Sequence, residues 1–169
     1  MGGVHDPGGP NWIEHSCGDS CSWEPPIKPM SPVSTRNITR VGTYKIEEVL
    51  PFAVPDKRDR DHIRDYDGHR VKMHSLRYQC FIKSGTACVT CGLKGEYFAL
   101  ERFNHQKQAT PSFHFNLYAM KDGVEILFTK DHTIPVCRGG KDYVQNFQTM
   151  CEPCNLFKGG ALPEGKGSL

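Results

Sequence analysis

Cys88-x-x-Cys91 and Cys151-x-x-Cys154 are the pairs in this sequence whose spacing most directly implies chemistry. A two-residue gap lets both sulfurs of a pair face one ion, while the intervening backbone N–H groups stabilise the thiolates. Four thiolates make the closed tetrahedral shell of structural zinc. Each pair stands beside a turn residue, Gly92 in one case and Pro153 in the other. The same residues would otherwise be two redox pairs or core cysteines. Positions 92–150, 59 residues, separate the knuckles. That is too long for a compact ribbon, so a hairpin must sit between them. The interval holds a second polar set: Lys130-Asp131-His132-Thr133-Ile134-Pro135, Arg138-Gly139-Gly140 and Asn146. Asn155 and Lys158 continue it behind the second knuckle. Cys80 and Cys137 lack a near partner, and Cys80, among Tyr78, Phe81 and Ile82, reads as a core residue. His15, Cys17 and Cys21 resemble a metal half-site, but no second pair lies nearby.

This register resembles the His-Asn-His (HNH) nuclease family: Asp-His, a short Pro-containing loop, Gly-Gly, Asn, then a knuckle followed by His or Asn and by Lys. The resemblance covers roughly residues 80–160, and residues 1–79 carry none. It implies an α+β fold, a small treble-clef, zinc-stapled ββα-metal domain with an N-terminal extension. The implied activity is metal-dependent DNA endonuclease, nicking or cutting both strands. Hydrolysis of a phosphodiester needs an activated water and neutralisation of charge on the phosphate and leaving oxygen. The resemblance assigns His132 as general base, since neutral imidazole takes a proton near pH 7. Asp131 and Asn155 would hold the catalytic ion. Asn155 stands where the family often has His, which makes an all-oxygen set suited to Mg²⁺ or Mn²⁺. Asn146 would brace the loop and help hold the His132 ring. Arg138 and Lys158 would contact phosphate, and the hairpin-helix unit would enter the minor groove of double-stranded DNA.

Each of these residues has a plainer role open to it. His132 can cap a strand. Asp131 can pair with Lys130 or Arg138. Asn146 can be a turn or helix cap, and Asn155 can cap the helix behind the knuckle. Arg138 and Lys158 can be solvated. The alternative function is a non-catalytic treble-clef zinc module that binds nucleic acid or protein, which would give no reason for Asp131, His132, Asn146 and Asn155 to occur together.

The elements that must position these groups follow from local pattern. Phe113 to Tyr118 starts by alternating apolar and polar residues, as a half-buried strand does. Asp122-Gly123 is the pair that tight hairpins favour, and Val124 to Thr129 is the returning strand. His114, in the first strand, can approach the site. Residues 133–150 read as a loop. Cys151 opens a helix with Pro153 in an early position that needs no N–H bond, and Gly159-Gly160 stops it. Residues 92–111 read as a loop with a short polar segment. Tyr44 to Leu50 is one short strand or helix, ended by Pro51 and Pro55. Gly68 to Lys83 contains no acid and reads as a helix with a basic face, from which Arg70, Lys72 and Arg77 would meet phosphate.

The expected organisation is therefore a tail over 1–40, an extension with a basic helix over 41–79, the nuclease domain over 80–160 and a tail over 161–169. The first 40 residues hold five glycines and six prolines, with no periodic run. Such a segment buries too little apolar surface to offset its ordering entropy. Across 169 residues, 21 Lys and Arg face 19 Asp and Glu, a net charge of +2 that excludes a general coat of positive charge. Residues 81–169 carry +10 and −8, and four zinc-bound thiolates make that region formally neutral. DNA affinity would then depend on the basic stretch 70–83 or a protein partner reached through the extension. Mean hydropathy is −0.53 and no apolar run approaches a membrane span. The first residues lack the pattern of a secretory signal, so the expected setting is the cytoplasm of a bacterial or phage-infected cell, where cysteines bind metal rather than form disulfides.

Overall fold

A two-residue turn at Asp122-Gly123, with φ of 53° and 76°, folds two strands onto each other. In this computed structural model, which describes residues 37–55, 58–59, 62–104 and 112–159, they are the centre of a sheet. The elements in chain order are β1 (Ile38–Lys45), α1 (Ile46–Val49), β2 (Ile63–Tyr66), β3 (His69–Lys72), α2 (Leu76–Ser84), β4 (Tyr97–Phe103), β5 (His114–Lys121), β6 (Val124–His132), β7 (Phe147–Cys151) and α3 (Glu152–Lys158). The large sheet is antiparallel in the order β1-β4-β5-β6-β7, and β2-β3 is a separate hairpin. The fold thus mixes α and β.

Most of β5 is buried, because both faces of this central strand are covered. Phe115, Leu117 and Ala119 meet one apolar core with Phe98, Leu100, Phe128, Met150, and Tyr78 and Phe81 of α2. The opposite face buries polar groups. Glu101, 1% exposed, accepts hydrogen bonds from Arg40 Nε at 2.7 Å, Asn116 Nδ2 at 2.8 Å and the Tyr118 hydroxyl at 2.9 Å. A buried carboxylate is tolerated only with such partners.

That network explains the first difference from the sequence reading. Residues 97–103 form strand β4, not loop, because the polar pair Glu101-Arg102 is held inside a sheet. The second concerns the basic stretch. It is not one helix from Gly68 to Lys83: β3 turns back on β2 through Asp67-Gly68, both at positive φ, and only residues 76–84 are helical. Arg70 and Lys72 alternate with buried Val71 and Met73, at period two rather than 3.6. Tyr44 to Leu50 divides between the end of β1 and the short helix α1. Residues 133–150 are not all loop, since they contain two 3₁₀ turns and most of β7. The division expected between residues 79 and 80 falls inside α2, and β1 pairs along β4. His15, Cys17, Cys21 and the segment 161–169 lie outside the described residues. No helix among the described residues is long and apolar enough to cross a membrane.

Candidate functional site

The first knuckle is a tight turn in which Gly92, at φ 74°, returns its N–H to the Cys88 carbonyl at 2.9 Å. Val89 N–H donates to the Thr149 carbonyl at 3.0 Å, docking this turn beside β7. Cys151 ends β7 and Cys154 lies in the first turn of α3. The four sulfurs all lie within 4.8 Å of one another, with Cys91 and Cys151 3.7 Å apart. Sulfurs around zinc at about 2.3 Å are separated by about 3.8 Å, whereas a disulfide needs about 2.05 Å. The electrostatics agree with the spacing. Hydrogen bonds from the Cys151 thiol and backbone N–H groups lower the Cys88 thiol, while burial raises that of Cys154. Four thiolates do not coexist there without a cation, and this donor set fits a soft divalent ion such as zinc. Cys80 is buried with its sulfur 3.9 Å from the Thr149 hydroxyl, and Cys137 is exposed; neither belongs to the cluster.

The end of β6 separates Asp131 and His132 onto opposite faces, as strand alternation requires. Asp131 is buried, and its Oδ2 accepts from Gln148 Nε2 at 2.8 Å and from Lys158 Nζ at 2.5 Å. Lys158 also donates to the His132 carbonyl. Asn155 donates from Nδ2 to the Thr129 hydroxyl at 2.9 Å. Residues 155 and 158 share one helix face, and residues 129 and 131 share one strand face. Lys158 therefore meets Asp131 between α3 and β6, and Asn155 reaches the same strand at Thr129. Asp131 pairs with Lys158 rather than with Lys130 or Arg138, and the Asn155 carboxamide reaches across to β6 instead of capping α3.

The His132 ring packs edge-on against Phe147, with centroids 4.9 Å apart. Its Nε2 lies 2.8 Å from Asp142 Oδ1. Lys130 holds its ammonium 4.0 Å from the centre of the Phe147 ring and 3.6 Å from Asp142. The hydrogen bond from His132, and then the charge of Lys130, keep the Asp142 carboxyl below its usual range.

Asn146, 4% exposed, binds loop backbone with its whole carboxamide. Its Oδ1 accepts from Ile134 N–H at 2.9 Å, and Nδ2 donates to the Ile134 and Lys141 carbonyls, both at 3.1 Å. Its own carbonyl accepts from Thr133 N–H at 2.8 Å. The loop passes so close at Gly140 that a Cβ there would stand 1.7 Å from the Ile134 carbonyl oxygen. Asn146 thus holds the loop that follows His132, while the ring itself is held by Asp142 and Phe147.

The remaining candidates lie apart from this group. Arg138 is on the exposed side of the loop. Arg70 stands on β3 opposite Asp65. Lys72 is exposed on β3, and Arg77 donates to the Asn116 carboxamide oxygen. His114 lies on β5 opposite Glu101, not beside Asp131. Sequence reasoning passed over Asp142, Gln148 and Thr129, and gave Lys130 no part beyond pairing with Asp131. Asp142 had a signal, as the acid that follows Gly139-Gly140; Gln148 and Thr129 are found only from the β6–β7 register and the packing of α3.

The family model for HNH endonucleases matches residues 120–165, the stretch that contains this strand end, its loop, the second knuckle and α3. Comparison with curated proteins and with solved structures gave no match.

Proposed function

We propose that the HNH endonuclease domain at residues 120–165 makes this protein a metal-dependent DNA endonuclease, hydrolysing phosphodiester bonds of double-stranded DNA. In this reading Cys88, Cys91, Cys151 and Cys154 hold a structural zinc in a treble-clef frame, and the protein works in the cytoplasm. Asp131 and Asn155 would hold one Mg²⁺ or Mn²⁺. Both bonds to Asp131 fall on Oδ2, and Asn155 spends its Nδ2 on Thr129. One oxygen on each side chain is thus kept out of those bonds, a hard-donor set that fits such an ion. When bound, the ion neutralises charge on the phosphate and the leaving oxygen.

The observation that carries the reading is the Asp142 contact to His132. A carboxylate 2.8 Å from Nε2 selects the tautomer protonated there. That leaves Nδ1 as the acceptor that takes the proton of the attacking water. Phe147 fixes the ring plane, and the resulting imidazolium is stabilised by Asp142. Asn146 and Gly140 keep the following loop from moving the strand end. Lys158, whose ammonium is paired with Asp131 and donates to the His132 carbonyl, is the candidate phosphate contact from α3. Arg138, exposed on the loop, offers a further phosphate contact, and Arg70, Lys72 and Arg77 extend the basic surface from β3 and α2.

The test is nicking of supercoiled plasmid with Mg²⁺ or Mn²⁺, comparing wild type with His132→Ala. The variant is expected to fold, keep its zinc and lose about 10²–10⁴ in rate, the usual contribution of a positioned base. Equal rates from the two folded proteins would remove His132 from the mechanism. No cutting by either would favour the binding-module alternative.

A further inference from the structure

A cleft of about 500 Å³ opens among β3, α2, β5 and β6, on a part of the surface that the hydrolytic step does not use. Lys72, Arg77 and Lys130 line it, together with the rings of Phe103, Phe113 and His114. None of its described lining residues is acidic. The neighbouring carboxylate, Glu101, is turned toward Arg40, Asn116 and Tyr118. The rings of His114 and Phe103 lie 5.6 Å apart and 30° from parallel, which makes a broad platform. His74 also lines the cleft, and its buried Nδ1 has no hydrogen-bond partner among the described residues. At its inner end Lys130 stands 3.6 Å from Asp142, which in turn holds His132. Lys130 thus links the cleft to His132 through Asp142.

Cationic groups beside half-buried rings, with no competing acid, are the chemistry that binds an unpaired nucleotide. The volume falls in the range of small-ligand sites, roughly 300–1,000 Å³. In a duplex, stacking covers both faces of every base, so this ring platform has nothing to bind, and a concave wall meets a convex backbone. We propose that the cleft receives one unpaired nucleotide of the DNA strand beside the bond to be cut, its base on His114 and Phe103 and its phosphate on Lys72, Arg77 and Lys130. The preferred substrate is then duplex DNA with a single-stranded stretch next to the cut. This rests on the endonuclease reading for the identity of the polymer.

The experiment uses the full chain carrying His132→Ala, which binds without cutting. A fluorescent oligo-dT strand and a duplex of equal length are titrated by anisotropy at several salt concentrations. Adding His114→Ala is expected to weaken the strand by roughly 5- to 150-fold, the range for loss of one stacked base, and to leave the duplex within about twofold. Adding Lys72→Ala at the exposed rim is expected to lower the salt slope for the strand by about 0.7. Equal losses for strand and duplex, or no loss for either, would overturn the proposal. Where His114→Ala does not fold, the Lys72→Ala slope decides, and an unchanged slope overturns it. Failure of the endonuclease reading looks different: wild type would cut neither substrate, whatever the binding data show.

Discussion

Lys158→Met tests whether Asp131 is a cation site, because it removes the ammonium and keeps most of the stem. The pair it breaks is close and nearly dry, 2.5 Å long with side chains 12% and 9% exposed. Breaking a buried pair from one side costs about 3–5 kcal/mol, since the other charge stays buried. Gln148 still donates to Asp131 Oδ2 at 2.8 Å, so the lower figure, about 3 kcal/mol, is expected. In a domain of this size that lowers Tm by roughly 10 °C in buffer without divalent ions. A divalent cation at the same carboxylate supplies the missing charge. At a hundredfold over its Kd it returns about 2.7 kcal/mol, nearly the whole loss. Wild type should gain less, because the ammonium competes with the ion for Asp131. The assay is thermal unfolding of both proteins with and without Mg²⁺ or Mn²⁺, zinc content being checked in each. A Tm deficit that is the same with and without the ion would refute the reasoning, because it would mean that the cation and Lys158 do not share Asp131.

Three further outcomes follow from the same geometry. Cys154→Ser should lose the zinc found by metal analysis in wild type, together with cooperative unfolding, since a structural site contributes folding free energy directly; folded wild type without zinc would refute the site. Asn155→His should keep part of the nicking activity with a preference shifted toward softer metals, while Asn155→Ala cutting as well as wild type in every metal would remove Asn155 as a ligand. Burial pushes the Tyr78 hydroxyl up to about 12, so stability present below pH 10, the unfolded value, should be lost progressively as pH rises through 12. The loss is about 3 kcal/mol at most. Urea titrations from pH 8 to 12 should show Tyr78→Phe losing less stability over this range than wild type, and parallel curves would contradict the assignment.

Spacing and turn chemistry made the second half of the chain legible. Asp122-Gly123 announces its hairpin, and two short cysteine gaps announce a cluster that requires no knowledge of what lies between. Strand β4 was not legible because polarity was taken for exposure. Glu101 is buried only because Arg40, Asn116 and Tyr118 reach it from two other strands, and no local pattern records that. The stretch after Gly68 misled for a related reason. A run of cations is compatible with period two or 3.6, and the decision came from Asp67-Gly68, whose left-handed φ values make a hairpin turn. Asp142 escaped notice because its contact to His132 spans a loop whose path depends on Asn146 and Gly140.

The place of Cys151, last in β7 and first at the door of α3, would make a metal held by the four cysteines a check on strand alignment. Cys91 and Cys151 are 60 residues apart in sequence, so the four sulfurs converge only after β4 to β7 have paired. A slip of one residue between β6 and β7 would reverse the faces of every side chain. It would part Asp131 from Gln148, and it would carry Cys151 away from the other three sulfurs. With a metal at this cluster, a misaligned chain would not retain it and would forfeit the ion's contribution to folding. Ion occupancy would then act as quality control: chains that kept a metal at this cluster would be those with the strand end and α3 in register.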